Sequence, residues 1–105
     1  MDAFDERERA FEARFHHDQD LQFKVKARRN RLLGLWAAGR MGLDGDAARA
    51  YAQELVDAEF AGGDQHIIEK VCADLKAKGQ SCTPAQVEFE LTHLAETAKR
   101  QIMRE

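Results

Sequence analysis

The chain has 105 residues, 33% of them charged and 44% hydrophobic, and a formal net charge of −3 at pH 7. This length and composition predict one soluble globular domain with a single core, and the small negative charge argues against general nucleic-acid binding. The longest apolar stretch, around residues 32–38, is too short to span a bilayer, and the acidic residues near the N-terminus argue against a secretory signal.

Residue usage favours an all-α fold. Proline occurs once, at Pro84, while good helix formers such as Ala, Glu, Arg, Lys and Leu are abundant and β-branched residues are few. Cys72 and Cys82 do not have the spacing of a metal-binding or redox motif, and two cysteines are no disulfide framework. We therefore expect a reduced cytoplasmic protein with two free thiols.

The first predicted helix is long. Residues 2–41 contain no proline and no glycine before Gly34, so they can form one continuous helix. On that helix Phe4, Phe11 and Phe15 lie within about 40° of one another, which makes a narrow aromatic stripe on an otherwise charged surface. Farther along the helix, the apolar residues lie on a different face, which is rotated by roughly a fifth of a turn from the aromatic stripe. The second half of the helix is therefore expected to pack into the protein's core while the first half projects.

Charge separates the same two halves. Residues 1–20 hold seven acidic and three basic residues, a net charge of −4, whereas residues 21–43 hold six basic and no acidic residues. Five of these cations form a basic block: Lys24, Lys26, Arg28, Arg29 and Arg31. The block is either a solvated surface, a docking surface for an acidic partner, or a site for the phosphates of a nucleotide. Since the chain has no glycine-rich phosphate loop, a nucleotide site would be a surface cleft.

Further helices follow after the glycines at positions 39, 42 and 45. Together with a helix over residues 21–41, apolar periodicity predicts three helices: 46–61, 65–78 and 84–104. The last has the clearest start, because Thr83 supplies a capping hydroxyl and is followed by proline and, three residues on, by glutamine. Short glycine-containing connections, such as Gly62-Gly63, favour antiparallel neighbours, so residues 21–105 are predicted to form a four-helix bundle.

The histidines do not predict a metal site. His16 and His17 would point about 100° apart on a helix, and His66 and His93 have no cysteine at ligand spacing. His16 and His17 are either solvated or change the charge of the N-terminal segment near neutral pH. No residue stands in a recognisable catalytic motif, so we expect a protein that is not an enzyme.

The aromatic stripe has two interpretations. Phe4, Phe11 and Phe15 either cover the bundle or enter a partner's groove as spaced apolar anchors. In the second case residues 1–20 form an N-terminal arm that is flexible when free, because an isolated helix of this length is marginal in water, and that orders on contact. We expect the free protein to be a monomer.

Two stretches of the chain resemble a known family. Residues 4–15 read FDERERAFEARF and residues 23–38 read FKVKARRNRLLGLWAA, and both are similar to the zeta-subunit family, small bacterial inhibitors of the F-type ATP synthase. The detailed match covers about the first forty residues, while length and helical layout agree over the whole chain. The departure is Gly39-Arg40, where stronger helix formers would be expected. The resemblance implies the same fold, a four-helix bundle with an N-terminal arm.

The resemblance also implies a function for the arm. The arm would insert between catalytic subunits in the head of the ATP synthase and block rotation, mainly in the hydrolytic direction. Its implied partner-binding residues are three apolar anchors and five polar contacts: Phe4, Phe11 and Phe15, with Arg7, Glu8, Arg9, Glu12 and Arg14. The protein would then be cytoplasmic and peripheral to the inner membrane through the synthase. The alternatives are a module that senses an adenine nucleotide or another anion through the basic block, and a structural adaptor without ligand; no other cofactor is expected.

Overall fold

The computed structural model of the protein describes residues 3–105. These residues form four α-helices and no strand: α1 (Ala3–Phe15), α2 (Gln19–Arg40), α3 (Gly45–Ala77) and α4 (Pro84–Met103). The predicted all-α, four-helix fold is therefore confirmed. Asp2, at which the long first helix was expected to begin, lies outside the described residues.

The first predicted helix is divided in two at residues 16–18. Asp18 has an extended backbone, and its carboxylate accepts a hydrogen bond from the Leu21 N–H at 3.1 Å, which makes it the N-cap of α2. An aspartate that satisfies the free N–H groups of a new helix competes with continuation of the preceding one. One continuous helix over residues 2–41, which the sequence allows, is not formed for this reason, and the helix expected over residues 21–41 is present as α2, Gln19–Arg40.

Two of the predicted helices are joined end to end in α3. The predicted boundary at Gly62-Gly63 is present as a kink, because Gly63 has φ +69° and ψ −159°. That backbone conformation is readily open only to glycine. The segments predicted as helices 46–61 and 65–78 therefore run on either side of a bend, with no intervening loop.

The buried apolar side chains form two separate clusters. The main core lies between α2, α3 and α4, and its most buried large side chains are Leu33, Leu55, Ile67, Val71, Leu75 and Val87. The second cluster, here called the end cluster, joins α1 to the start of α2 and the end of α4 through Phe11, Leu21, Val25, Ala98 and Ile102. Because the clusters are distinct, α1 adds to the bundle without being part of its main core.

The α2 and α3 helices approach each other closely at Gly34. A Cβ atom placed on Gly34 would lie 2.4 Å from the Cα atom of Ala52, a distance that real Cβ atoms do not reach. Glycine at this position lets the two helix backbones meet and excludes a larger side chain. The close contact brings the buried Leu33 and Leu55 into the same core.

A partly buried polar network holds the kink in α3. Arg29 from α2 donates from Nη2 to Oδ1 of Asp64 at 2.6 Å and from Nη1 to Oδ2 at 3.3 Å, a two-pronged geometry that strengthens an arginine–carboxylate pair. Asn30, fully buried, accepts from Nε of Arg29 at 3.0 Å and donates to Glu59 at 3.2 Å. Glu59 and Asp64 flank the glycine kink, so α2 fixes the helix on both sides of its weakest point.

The pair between Arg29 and Asp64 predicts an acid-dependent contribution to stability. The guanidinium of Arg29 lowers the pKa of Asp64 below its ordinary value of 3.8. The stabilisation is therefore present above that pH and is lost as the pH falls through the lowered value. We expect Asp64→Asn to lower the melting temperature at pH 7. Below about pH 4, the difference in melting temperature between this variant and the wild type should become smaller.

The matched control is Asp57→Asn, also on α3, where the exposed carboxylate accepts one bond from Gln53 at 3.0 Å. Thermal unfolding followed by circular dichroism between pH 2.5 and 7 measures both variants. If the difference in melting temperature between Asp64→Asn and the wild type is the same at every pH in this range, the pair does not stabilise the kink.

Candidate functional site

The last part of α1 connects that helix to the bundle. Phe11 is 9% exposed and is the one buried residue of α1 among the described residues. Its ring lies in the end cluster against Leu21 and Val25 of α2 and against Ala98 and Ile102 of α4. Full burial of such a side chain stabilises a contact by about 1.5–3 kcal/mol, which makes Phe11 the main apolar anchor of the docked arm.

Phe15 and one lysine of α4 complete this contact. The Phe15 ring stacks on that of Phe11, with centroids 6.4 Å apart and an interplanar angle of 17°. The Lys99 ammonium lies 4.3 Å from the Phe15 ring centroid, and its Nζ is 3.5 Å from Oε1 of Glu12. Lys99 therefore binds two side chains of α1 at once, one by a cation–π contact and one by an ion pair.

The connection between α1 and α2 is short and hydrogen-bonded. Gln22 donates from Nε2 to the carbonyl oxygen of Phe15 at 2.7 Å and so caps the end of α1. Arg14 lies 3.5 Å from the carboxylate of Asp18. The Leu21 N–H is the main cause that lowers the pKa of Asp18, with a smaller contribution from Arg14. The N-cap of α2 is thus made by a hydrogen bond within the start of that helix, and Arg14 is an additional contact of the same carboxylate.

The forces that dock α1 are few and individually weak. Apart from Phe11 burial, the partly exposed Lys99–Glu12 pair is of a kind that contributes about 0–1 kcal/mol. The cation–π contact with Phe15 is of a kind that contributes about 0.5–2 kcal/mol, rising with the burial of the cation. An isolated helix of fewer than about 12–15 residues is itself marginal in water. Undocking of α1 is therefore a low-energy event compared with unfolding of the main core.

The first part of α1 is open to solvent. Residues 3–10 are all exposed, and Phe4 leaves 45% of its surface in solvent. Such a large exposed apolar side chain on a charged helix is a candidate contact for a partner. The arm thus has an exposed first part and a lightly docked second part.

The partner-binding residues expected from the sequence divide between these two parts. Phe4, Arg7, Glu8 and Arg9 are on the exposed part. Phe11 is buried, Glu12 and Phe15 are half-buried, and Arg14 is exposed beside Asp18. In the free protein the aromatic stripe therefore covers the bundle at Phe11 and Phe15 and leaves Phe4 available.

The basic block is engaged within the protein. Lys26 and Arg29 reach Glu59, with Nζ–Oε1 and Nη2–Oε2 distances of 3.1 and 3.6 Å. Lys24 lies 3.1 Å from the carboxylate of Glu105, which Arg28 also contacts while donating to Gln101 at 2.9 Å. Arg31 donates to Gln53 at 3.4 Å. Four of the five cations therefore contact a carboxylate of the protein itself, and Arg31 contacts the amide of Gln53.

These contacts tie α2 to the ends of its neighbours. The side chain of Arg28 is the main cause, and Lys24 a further one, that lowers the pKa of Glu105. Arg29 contacts the kink of α3, and Lys24 and Arg28 contact the end of the chain, so the basic block joins α2 to both of its neighbours. In the sequence these cations look unpaired, because the carboxylates that contact them are distant along the chain.

The histidines do not gather around one point. His16 and His17 are exposed at the α1–α2 junction, and His66 and His93 are exposed on α3 and α4. Within residues 3–105 no group of histidine, cysteine, aspartate and glutamate side chains could hold a metal ion. None of the helices in this part of the chain is both long enough and apolar enough to cross a membrane.

Sequence reasoning did not identify Lys99 or Gln22 as parts of the site. Lys99 is one of several cations on α4, and its role depends on where that helix ends relative to α1. One signal was available: Ala98 and Ile102 extend the apolar line of α4 beyond the length that the main core needs. That excess predicts a further apolar partner at the end of α4, and the partner is Phe11.

Comparison with known proteins places this arrangement in a family. One solved structure, a solution NMR structure, is 41% identical in sequence and superposes with a TM-score of 0.70, covering 80% of this chain and 96% of that chain. No curated protein gave a match. The family described as ATPase inhibitor subunit zeta matches residues 1–101. Since this match covers nearly the whole length, the chain belongs to the family of ATPase inhibitor subunit zeta.

Proposed function

We propose that this protein inhibits ATP hydrolysis by the F-type ATP synthase, and that α1 is the inhibitory element. The helix would insert into a cleft between catalytic subunits of the synthase head and block rotation in the hydrolytic direction. Its family supports a role in ATPase inhibition. The observation that carries the proposal is the state of α1, which is helical, exposed over residues 3–10 and held by one buried side chain.

The surface of the exposed segment suits a groove between protein subunits. Phe4 supplies an apolar side chain, while Arg7, Glu8 and Arg9 give both signs of charge within one turn. A helix binds in a groove through apolar anchors spaced along one face, with polar residues at the edges of the contact. Phe4 lies on the same face as Phe11 because seven residues make nearly two helical turns.

Insertion of the whole arm requires release of its second part. Phe11 and Phe15 cannot contact the bundle and a partner with the same surfaces, so the end cluster competes with the partner for them. Lys99 and Glu12 lie in the same contact and would separate with it. Because the docking is weak, the partner can displace the end cluster from these side chains. Burial of all three phenylalanines in the partner offsets the contacts that are lost with the bundle.

The rest of the protein would remain folded during this exchange. The main core lies between α2, α3 and α4 and does not include α1. The bundle would therefore hold the arm near the synthase head from outside, on the cytoplasmic side of the inner membrane. In this account the basic block contributes to the rigidity of the bundle, with no part in binding a nucleotide.

Replacement of Phe4, Phe11 and Phe15 by alanine is expected to abolish inhibition and to leave the main core folded, because the three side chains supply the apolar contact with the partner. Inhibition of ATP hydrolysis by the cognate synthase measures the first effect, and circular dichroism the second. The matched control is Phe89→Ala, which removes a phenylalanine that is 71% exposed on α4. Intact inhibition by the triple variant would refute the proposed role of the aromatic stripe.

Lys99→Gln tests the competition between docking and inhibition. The change removes the charge that binds Glu12 and the Phe15 ring, so the arm should undock more readily and the concentration for half-inhibition should fall about threefold to tenfold. Arg100→Gln, an exposed change at the adjacent position, is the control and should have no effect. Weaker inhibition by Lys99→Gln would mean that the docked arm is the form that binds the synthase.

A further inference from the structure

The two cysteines meet in the interior. Cys72 and Cys82 are free and buried, with 6% and 5% of their surfaces exposed, and their Sγ atoms lie 3.1 Å apart. Their separation of ten positions gives no sign of this contact in the sequence. From the sequence we expected two free thiols; the contact between them follows from the fold.

The fold holds the two thiols side by side. Cys72 lies on α3 among side chains of the main core. The chain then turns back at Gly79, whose φ is +77°, and Cys82 comes directly before Thr83. Thr83 is the N-cap of α4, with reciprocal hydrogen bonds to Gln86 of 3.2 and 3.0 Å. The capping box therefore anchors the residue next to Cys82, while α3 anchors Cys72.

We propose that Cys72 and Cys82 are a modification site, at which hydrogen peroxide converts the thiol pair to an intramolecular disulfide. A disulfide requires sulfurs about 2.05 Å apart, so the bond needs an approach of roughly 1 Å from the present contact. The connection between α3 and α4 can supply this shift, because residues 76–81 are exposed. No residue of α1 takes part, so the site is independent of the proposed inhibitory function.

The reaction takes two displacement steps. The Cys82 thiolate attacks one oxygen of the peroxide, the O–O bond breaks, hydroxide leaves, and a sulfenic acid forms on Cys82. The Cys72 thiolate then attacks that sulfur, the S–O bond breaks, and a second hydroxide leaves as the S–S bond forms. Two thiols lose two electrons and two protons, and one peroxide becomes two waters.

Burial makes the reaction slow and dependent on pH. Removal from solvent and the neighbouring Cys82 together raise the pKa of Cys72 to about 11. Since the thiolate is the nucleophile, disulfide formation should accelerate as the pH rises from 7 toward 9. Lys76, one turn after Cys72 on α3, acts in the opposite direction and favours the thiolate. Of the charges that bear on this thiol, Lys76 is the one that promotes its ionisation.

The product would join α3 to the segment before α4 by a covalent bond. A disulfide that closes a short loop stabilises the native fold mainly by restricting the unfolded chain. The expected gain in melting temperature is about 10 °C for a domain of this size. The bundle would then have an oxidised form that is more stable than the reduced form.

The proposal is tested by treating the full-length protein with hydrogen peroxide and measuring the number of free thiols. We expect two thiols to disappear together, a mass decrease of about 2 Da, and recovery on addition of dithiothreitol. Trypsin cleaves after Lys70, Lys76, Lys78 and Lys99, so it separates the two cysteines. The oxidised digest should contain peptide 71–76 joined to peptide 79–99, and the oxidised protein should melt about 10 °C higher.

A single-cysteine variant is the matched control. Cys72→Ser should stop at a sulfenic acid on Cys82, which dimedone traps, and should give no intramolecular cross-link. Sulfinic acid without cross-linking, disulfide-linked dimers as the main product, or a lower melting temperature in the oxidised wild type would each overturn the proposal. So would thiols that survive peroxide concentrations sufficient to oxidise the chain unfolded in urea.

Discussion

The division of the apolar interior into two clusters along α2 is the constraint on which the rest of the structure depends. One stretch of α2 packs against α3 in the main core, with the close approach at Gly34 and Ala52. The other packs against α1 and the end of α4 in the end cluster. Since the main core closes without α1, the bundle can keep its fold while α1 changes partners. A single merged core would couple release of the arm to loss of the whole fold.

Charge follows the same division. The cations of the basic block bind acids that hold the bundle, at the kink through Glu59 and Asp64 and at the end of the chain through Glu105. The arm instead keeps most of its charges exposed, with Lys99 as its ion-pair partner from α4. The part that stays folded is therefore held by several ion pairs, among them the two-pronged Arg29–Asp64 pair. The arm is tied to α4 by the Lys99–Glu12 pair, and release of the arm would leave the pairs within the bundle intact.

Local signals predicted much of this fold, and long-range contacts account for what they missed. The Thr83 capping box and the glycine kink at Gly63 could be located because the hydrogen-bonding and backbone preferences involved lie within a few residues. The break at Asp18 was missed because aspartate is tolerated within a helix, and its role as a cap depends on the turn it adopts. The Cys72–Cys82 contact and the carboxylates that bind the basic block depend on how α2, α3 and α4 pack, which no local pattern encodes. For the arm, periodicity gave the aromatic stripe, but only the packed structure separates the docked Phe11 from the exposed Phe4.

The central claim is that the arm inhibits and the bundle holds it. The most direct test compares ATP hydrolysis by the cognate synthase in the presence of the full-length protein and of a chain that begins at Leu21. We expect inhibition by the first, none by the second, and a shortened chain that still unfolds cooperatively, because the main core is intact without α1. Equal inhibition by both chains would place the activity in the bundle and contradict the account.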